Sequence, residues 1–153
     1  MRLQIATRIA LYAILDLASG PGPQLSSGEI AARFGISVNH LSKVLAVLVR
    51  AGLVESLRGA GGGYRFRGNA RRVTLLEVIR LFEDVDPGTR TDGDAASSSP
   101  EGRALRRVLD EIDDIARATL GSITLATLLK LVEEQAGAAP TREPRRRGMP
   151  GRA

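Results

Sequence analysis

The sequence predicts a mainly α-helical protein with one small β-hairpin. Three observations lead there. Apolar residues recur at three- and four-residue spacing through most of the chain, the period of a helix with one buried face. Two Ser/Thr-x-x-Glu boxes, at Ser26 and Thr74, mark helix starts. A glycine cluster at 59–63 divides two short alternating runs, the pattern of a hairpin.

Composition narrows the function. With 153 residues, 43% of them hydrophobic and 25% charged, the chain suits one globular domain with an appended element. Aromatics are only 3%, so the core is aliphatic. The absence of cysteine excludes disulfides, thiolate metal sites, cysteine-held iron–sulfur clusters and thiol catalysis. A single histidine is too few for a histidine metal site. There are no paired carboxylates in a cleft-like context, no nucleophile with a base and no cofactor loop, so nothing points to an enzyme. Charge is unevenly spread. Residues 1–72 hold 10 Lys/Arg against 3 Asp/Glu, residues 73–136 hold 7 against 13, and residues 137–153 hold 5 against 1. The basic first part is the candidate polyanion-binding face, beside the plainer alternative of uneven surface charge.

The elements follow in order. Residues 3–19 place Leu3, Ile5, Ile9, Leu11, Tyr12, Ile14, Leu15, Leu17 and Ala18 on one broad face of a first helix. Its start looks faintly like a signal peptide, but Arg8 and Asp16 interrupt the apolar run, and an amphipathic helix fits better. No stretch approaches 18 uncharged apolar residues, so no membrane span is expected and the cytoplasm is the default location. Gly20-Pro21-Gly22-Pro23 ends the helix. Ser26 opens a second helix through Phe34. Gly35 supplies a turn, and Ser37 caps a third helix running to Ala51. Helix, tight glycine turn, helix is the helix-turn-helix arrangement, although any helical hairpin shares that spacing.

The next segment separates the two. Leu53–Arg58 and Tyr64–Arg67 alternate like paired strands around Gly59-Ala60-Gly61-Gly62-Gly63. A hairpin directly after a recognition helix is a wing, and the whole becomes a winged helix-turn-helix. A phosphate-binding loop is the rival reading of the glycines; it lacks a following Gly-Lys-Ser/Thr and opens no helix. Thr74-x-x-Glu77 then starts a helix through Phe82. Residues 86–98 read as a mobile loop rich in Gly, Ser and Asp. Ser99-Pro100 starts a long helix whose stripe runs Leu105, Val108, Leu109, Ile112, Ile115, Ala116, Thr119, Leu120 and Ile123. A shorter helix spans about Leu125 to Glu134. Domain boundaries are therefore expected at 1–85, 86–98, 99–136 and 137–153. The last is a disordered basic tail whose arginines either attract phosphate nonspecifically or are inert.

Candidate DNA-binding residues are Ser37, Asn39, His40, Ser42 and Lys43 at the start of the recognition helix, and Arg58, Gly61, Tyr64, Arg65 and Arg67 on the wing. Asn39 suits adenine or phosphate, His40 a base or phosphate unless it is a cap or solvated position, Lys43 suits phosphate, and the arginines suit phosphates or a narrow minor groove. The plainer alternative for one of those arginines is a pair with Glu55 across the hairpin, and Tyr64 either lies against sugar or, the favoured reading, packs under the wing. Thr7 and Gln4 are weaker phosphate candidates. A long stripe after a complete small domain needs a cover, either its own domain or a second copy; two half-sites need two reading heads, which favours a dimer with Leu105, Leu109, Ile112, Ile115 and Leu120 at the interface.

The run Gly35-Ile36-Ser37-Val38-Asn39-His40-Leu41-Ser42-Lys43-Val44-Leu45, then Arg50-Ala51-Gly52-Leu53-Val54, then Ser56-x-Arg58-Gly59-Ala60-Gly61-Gly62-Gly63-Tyr64, closely resembles the Rrf-two (Rrf2) family of bacterial winged-helix transcription factors. The resemblance covers about residues 1–136. It implies a homodimer on a partly palindromic operator, usually as a repressor, paired through the long helix. Many members hold an iron–sulfur cluster on three cysteines, which by spacing fall near Thr91, Ser97 and Arg103 here; some supply an acidic ligand near Arg8. None of these side chains replaces a thiolate, so no cluster cofactor is expected. Double-stranded DNA, a second copy, and a regulatory protein or small-molecule effector are the partners implied. A module ruled by such a partner, with weak DNA binding alone, is the alternative reading.

Overall fold

The computed structural model describes residues 2–20, 22, 24–85 and 98–138, and in it α1 spans Ile5–Ala18. Its buried face is Thr7, Ile9, Ala10, Ala13, Ile14 and Leu17. Helix α2 (Ser27–Phe34) begins at a complete capping box. The Glu29 amide donates to Ser26 Oγ at 3.2 Å, and the Ser26 amide donates to Glu29 Oε2 at 2.7 Å. The Ser26 amide first, and then the Ser26 hydroxyl donating to the same Oε2 at 2.8 Å, hold the Glu29 carboxyl below the usual carboxylate range.

Gly35 ends α2 at φ +63°, a left-handed conformation in which its amide reaches the Ala31 carbonyl. The chain turns through 118° before α3 (Val38–Arg50), which Ser37 caps. Leu41, Val44, Leu45 and Leu48 point inward from α3. Asp16 of α1 and Arg33 of α2 form an ion pair that ties those two helices; the Asp16 side chain is only 5% exposed.

Strands β1 (Val54–Leu57) and β2 (Gly63–Phe66) pair antiparallel from Val54 opposite Phe66 to Leu57 opposite Gly63. Strand β1 is slightly shorter than the alternating run Leu53–Arg58, and β2 is shifted one residue earlier than the run Tyr64–Arg67. Leu25, ahead of α2, adds a bridge to the far edge of β2, with reciprocal backbone bonds to Tyr64 of 3.0 and 2.8 Å.

Helix α4 (Leu75–Arg80) starts at the Thr74 box and stops short of Phe82. Its end tightens to a three-residue turn: the Leu81 amide donates to Val78 and that of Phe82 to Ile79. Helix α5 (Pro100–Ser122) has Ser99 as its cap and Pro100 in its first turn. Helix α6 (Leu125–Gly137) runs further than the sequence suggested. The expected loop at 86–97 and most of the expected tail, 139–153, lie outside the described residues.

One aliphatic core joins α1, α2, α3, β1 and α4, and Leu125 of α6 is fully buried in it. The strip between β2 and α4 stitches α6 in place. Val73 and Ala70 carbonyls accept from the Leu125 and Ala126 amides, and Thr74 bridges Thr124. Helix α5 differs. None of its 23 residues is buried. Leu109, Ala116 and Leu120 are half-buried, while Leu105, Val108, Ile112 and Ile115 are 54–62% exposed on the adjoining arc. Among the described residues no single helix is long and apolar enough to cross a membrane.

The start of α1 lacks a cap of its own. Gln4 offers no side-chain bond and the first turn holds no acid. Glu83, just past α4, supplies one: its Oε1 accepts from the Gln4 amide at 2.6 Å and from the buried Thr7 hydroxyl at 2.5 Å. Glu83→Ala should therefore cost about 1–3 kcal/mol in denaturant unfolding, since it strips a charged acceptor from a buried hydroxyl and a helix end. Glu29 gives a separate, pH-dependent prediction. Its folded-state pKa is lowered, so its contribution is complete above the ordinary carboxylate value and is lost as pH falls through the lowered one. Glu29→Gln keeps a capping group without the titration. The thermal midpoints of wild type and variant should converge as pH falls below the ordinary carboxylate range.

Candidate nucleic-acid interface

Burial of one face of α3 leaves the other free. Ser37, Val38, Asn39, His40, Lys43, Ala46 and Arg50 are exposed, and Ser42 is half-buried. Positions 39, 43, 46 and 50 follow the helical repeat, so they form one continuous outer stripe. Ala46 and Arg50 were missing from the sequence-based candidates; continuing the repeat past Lys43 would have found them. Ser37 serves the helix, its hydroxyl accepting from the His40 amide at 3.5 Å, and the His40 ring stays exposed. Val38, 48% exposed beside Asn39, sets an apolar contact next to an amide. That pairing suits the thymine methyl and the adenine edge in a major groove.

The hairpin divides its side chains by strand alternation. Tyr64 and Phe66 turn toward the core, while Arg65 and Arg67 face solvent. The cross-strand arginine is Arg65, which lies opposite Glu55 and donates from Nε to Glu55 Oε1 at 2.6 Å. Arg58 and Arg67 are exposed and have no side-chain partner among the described residues. Gly61 stands exposed at the tip with φ +78°. A side chain at Gly63 would stand 2.7 Å from the Leu25 carbonyl oxygen, so the bridge from Leu25 requires glycine there.

One sequence candidate fails. Thr7 is completely buried and its hydroxyl is committed to Glu83. The backbone amide of Gln4 donates to the same carboxylate, while Gln4 itself stays exposed.

A helix-turn-helix with an exposed polar stripe, followed at once by an arginine-bearing hairpin, matches known proteins closely. The model of the Rrf2 family, described as an iron-dependent transcriptional regulator, matches residues 3–131. The chain belongs to the Rrf2 family. Like its relatives it is a DNA-binding transcriptional regulator, not an enzyme. It is 52% identical over 135 residues to BadM of Rhodopseudomonas palustris, named as a helix-turn-helix regulator, covering 88% of this chain and 85% of that one. It is 33% identical to the transcriptional regulator IscR of Xenorhabdus nematophila, over 85% of this chain and 80% of the other. Among solved structures it resembles CymR, the global cysteine regulator of B. subtilis, with TM-score 0.72 and 26% identity over 86% of this chain and 98% of that one. The T. potens IscR structure is similar too, with TM-score 0.66 and 33% identity over 92% of this chain and 94% of the other.

The family description mentions iron, and the donors of this chain do not fit a thiolate-held iron site. It has no cysteine. Of the three positions where cluster cysteines are expected, Thr91 and Ser97 lie outside the described residues. Arg103 is an exposed cation on α5 that donates to the Ser98 carbonyl. Arg8 is likewise an exposed cation. No group of three potential His, Cys, Asp or Glu ligands assembles among the described residues.

The contact at Gly63 is directly testable. Gly63→Ala should push Leu25 off β2 and weaken DNA binding, whereas Ala60→Gly at the open tip should leave affinity within about twofold; fluorescence anisotropy on a fixed duplex would compare them.

Proposed function

We propose that this regulator acts as a homodimer, paired through α5, that reads a palindromic operator and represses transcription from it. One observation carries the reading: α5 has 23 residues, none buried, and four large apolar side chains face solvent along one arc. An apolar strip of that kind on a surface helix calls for a cover. A second copy supplies one symmetrically, each strip serving as the other's partner. Leu105, Ile112 and Ile115 would form the centre of the contact, and half-buried Leu109 and Leu120 its border with the body.

Two copies bring two recognition helices. A two-fold pair suits half-sites about 34 Å apart on one side of the duplex. In this reading Asn39 and Val38 read base edges. His40, Ser42, Lys43 and Arg50 add base or phosphate contacts, and Arg58 and Arg67 hold backbone from the wing. Arg65, engaged by Glu55, contributes mainly by stiffening the hairpin. A dimer seated across a promoter would exclude polymerase, which is the simplest route to repression.

Selection from fragmented genomic DNA at about 0.15 M salt tests the core of this reading, because nonspecific phosphate attraction is damped there. One palindromic motif is expected. Asn39→Ala should relax preference at one base pair by roughly 1–3 kcal/mol, and Arg58→Ala should weaken all sequences alike and lower the salt slope by about 1. Ile112→Asp should give a monomer by light scattering and lose the palindrome. Recovery of no motif, with a stoichiometric protein partner in pull-downs, would overturn the reading in favour of a partner-controlled module.

A further inference from the structure

The wing tip is built from the residues least able to hold a shape. Strand pairing ends at Leu57 opposite Gly63, and the five residues beyond it include Gly59, Gly61 and Gly62. Gly59 and Gly61 have φ of +102° and +78°, and a Cβ at either would meet nothing within 4 Å. Such glycines have wide conformational freedom and no packing to restrict it. Within the tip, the Gly62 amide donates to the Gly59 carbonyl at 2.9 Å. The other bond reaching the tip comes from outside the hairpin: the side-chain amide of Gln24 donates to the carbonyl of Gly61.

Gln24 is well placed for this. It is half-buried, and its neighbour Leu25 is locked to Tyr64 by two backbone bonds. The linker between α1 and α2 thus grips the hairpin twice, once at β2 and once at the tip. The tip in turn fixes Arg58. A Cβ at Gly62 would lie 2.4 Å from the Leu57 oxygen and 3.3 Å from the Arg58 carbonyl carbon, so the two sides of the tip are in close contact. A shift of Gly61 therefore moves the backbone that carries Arg58.

We infer that Gln24 is a positioning residue for DNA binding: it braces the glycine wing through the Gly61 carbonyl and so presents Arg58 to the duplex. This rests on the reading that the wing meets DNA. Gln24 itself need not touch the nucleic acid. It lowers the ordering cost of binding by holding the tip before DNA arrives.

The test uses the full chain with Gln24→Met, which keeps length and removes the donor, together with Arg58→Ala and the double variant. Anisotropy on an operator duplex, or on one fixed duplex until the operator is known, is measured across salt concentrations. Gln24→Met should bind about 3- to 10-fold more weakly and lose about one unit of salt slope, as Arg58→Ala does. The double variant should be no weaker than Arg58→Ala alone. Because the chain has no cysteine, Ala60→Cys takes a single spin label at the tip. Gln24→Met should make that label more mobile while the thermal midpoint stays within about 2 °C. Wild-type affinity and label mobility in Gln24→Met, with Arg58→Ala weakened, would overturn the brace and leave the wing reading standing. A weakened Gln24→Met whose salt slope is unchanged and whose effect adds to that of Arg58→Ala would also overturn it, as a general structural defect. Wild-type binding by Arg58→Ala would remove the wing contact and the inference with it.

Discussion

The fold depends on close contact between α1 and α3. Ala10 and Ala13, both fully buried, give α1 a shallow surface, and Leu41, Leu45 and Leu48 of α3 fill the adjoining core with no exposure. Small residues on one helix let large ones on the other approach and exclude water. Once α3 is fixed along that face, its opposite face has no choice but solvent. The outer stripe at Asn39, Lys43, Ala46 and Arg50 is thus a by-product of packing, available to any ligand with the width of a helix. The left-handed Gly35 and the 118° turn serve the same constraint, because α2 must cross α3 without covering that stripe.

The second half of the chain is less separate than its acidic composition suggests. Leu125 lies in the same core as Ile9 and Ile14, and the Thr74–Thr124 bridge binds the start of α6 to the strip after the wing. Helix α5 is thereby anchored at its C-terminal end beside α4, where Gly121 stands near Leu76. Its apolar arc is divided in two, one part half-buried and the other exposed. An element built this way links the reading head to whatever covers it without a flexible joint at the C-terminal end.

Much of this was legible in the sequence because it is local. A capping box spans four residues, and both boxes form as their spacing demands. The glycine turn, the hairpin and the Ser99-Pro100 start are equally short-range signals. The Glu55–Arg65 pair was visible as one of three options, since strand alternation narrows cross-strand partners without choosing among them. What escaped is long-range. Glu83 caps a helix 79 residues earlier, and Gln24 holds a carbonyl 37 residues later. No periodicity connects such pairs; they appear only when packing brings the segments together. Thr7 shows the same limit from the other side. A polar residue at a helix start looks like a surface contact until its burial and its partner are known. The family resemblance, carried by local motifs of the recognition helix and wing, was correspondingly easy to see.

The cap on α1 has a consequence for how the protein is made. Synthesis is vectorial, and α1 leaves the ribosome before the segments that complete it. Its leading amides and the Thr7 hydroxyl must wait for Glu83, and its inner face for Leu41, Leu45 and finally Leu125. At about 5–20 residues per second, the interval between Gln4 and Glu83 lasts several seconds. During that time the first helix lacks its cap, and until α3 follows its apolar side is open to water. The reading head is complete only when its C-terminal partners arrive, so a nascent chain stalled before residue 83 would present chaperones with an uncapped first helix.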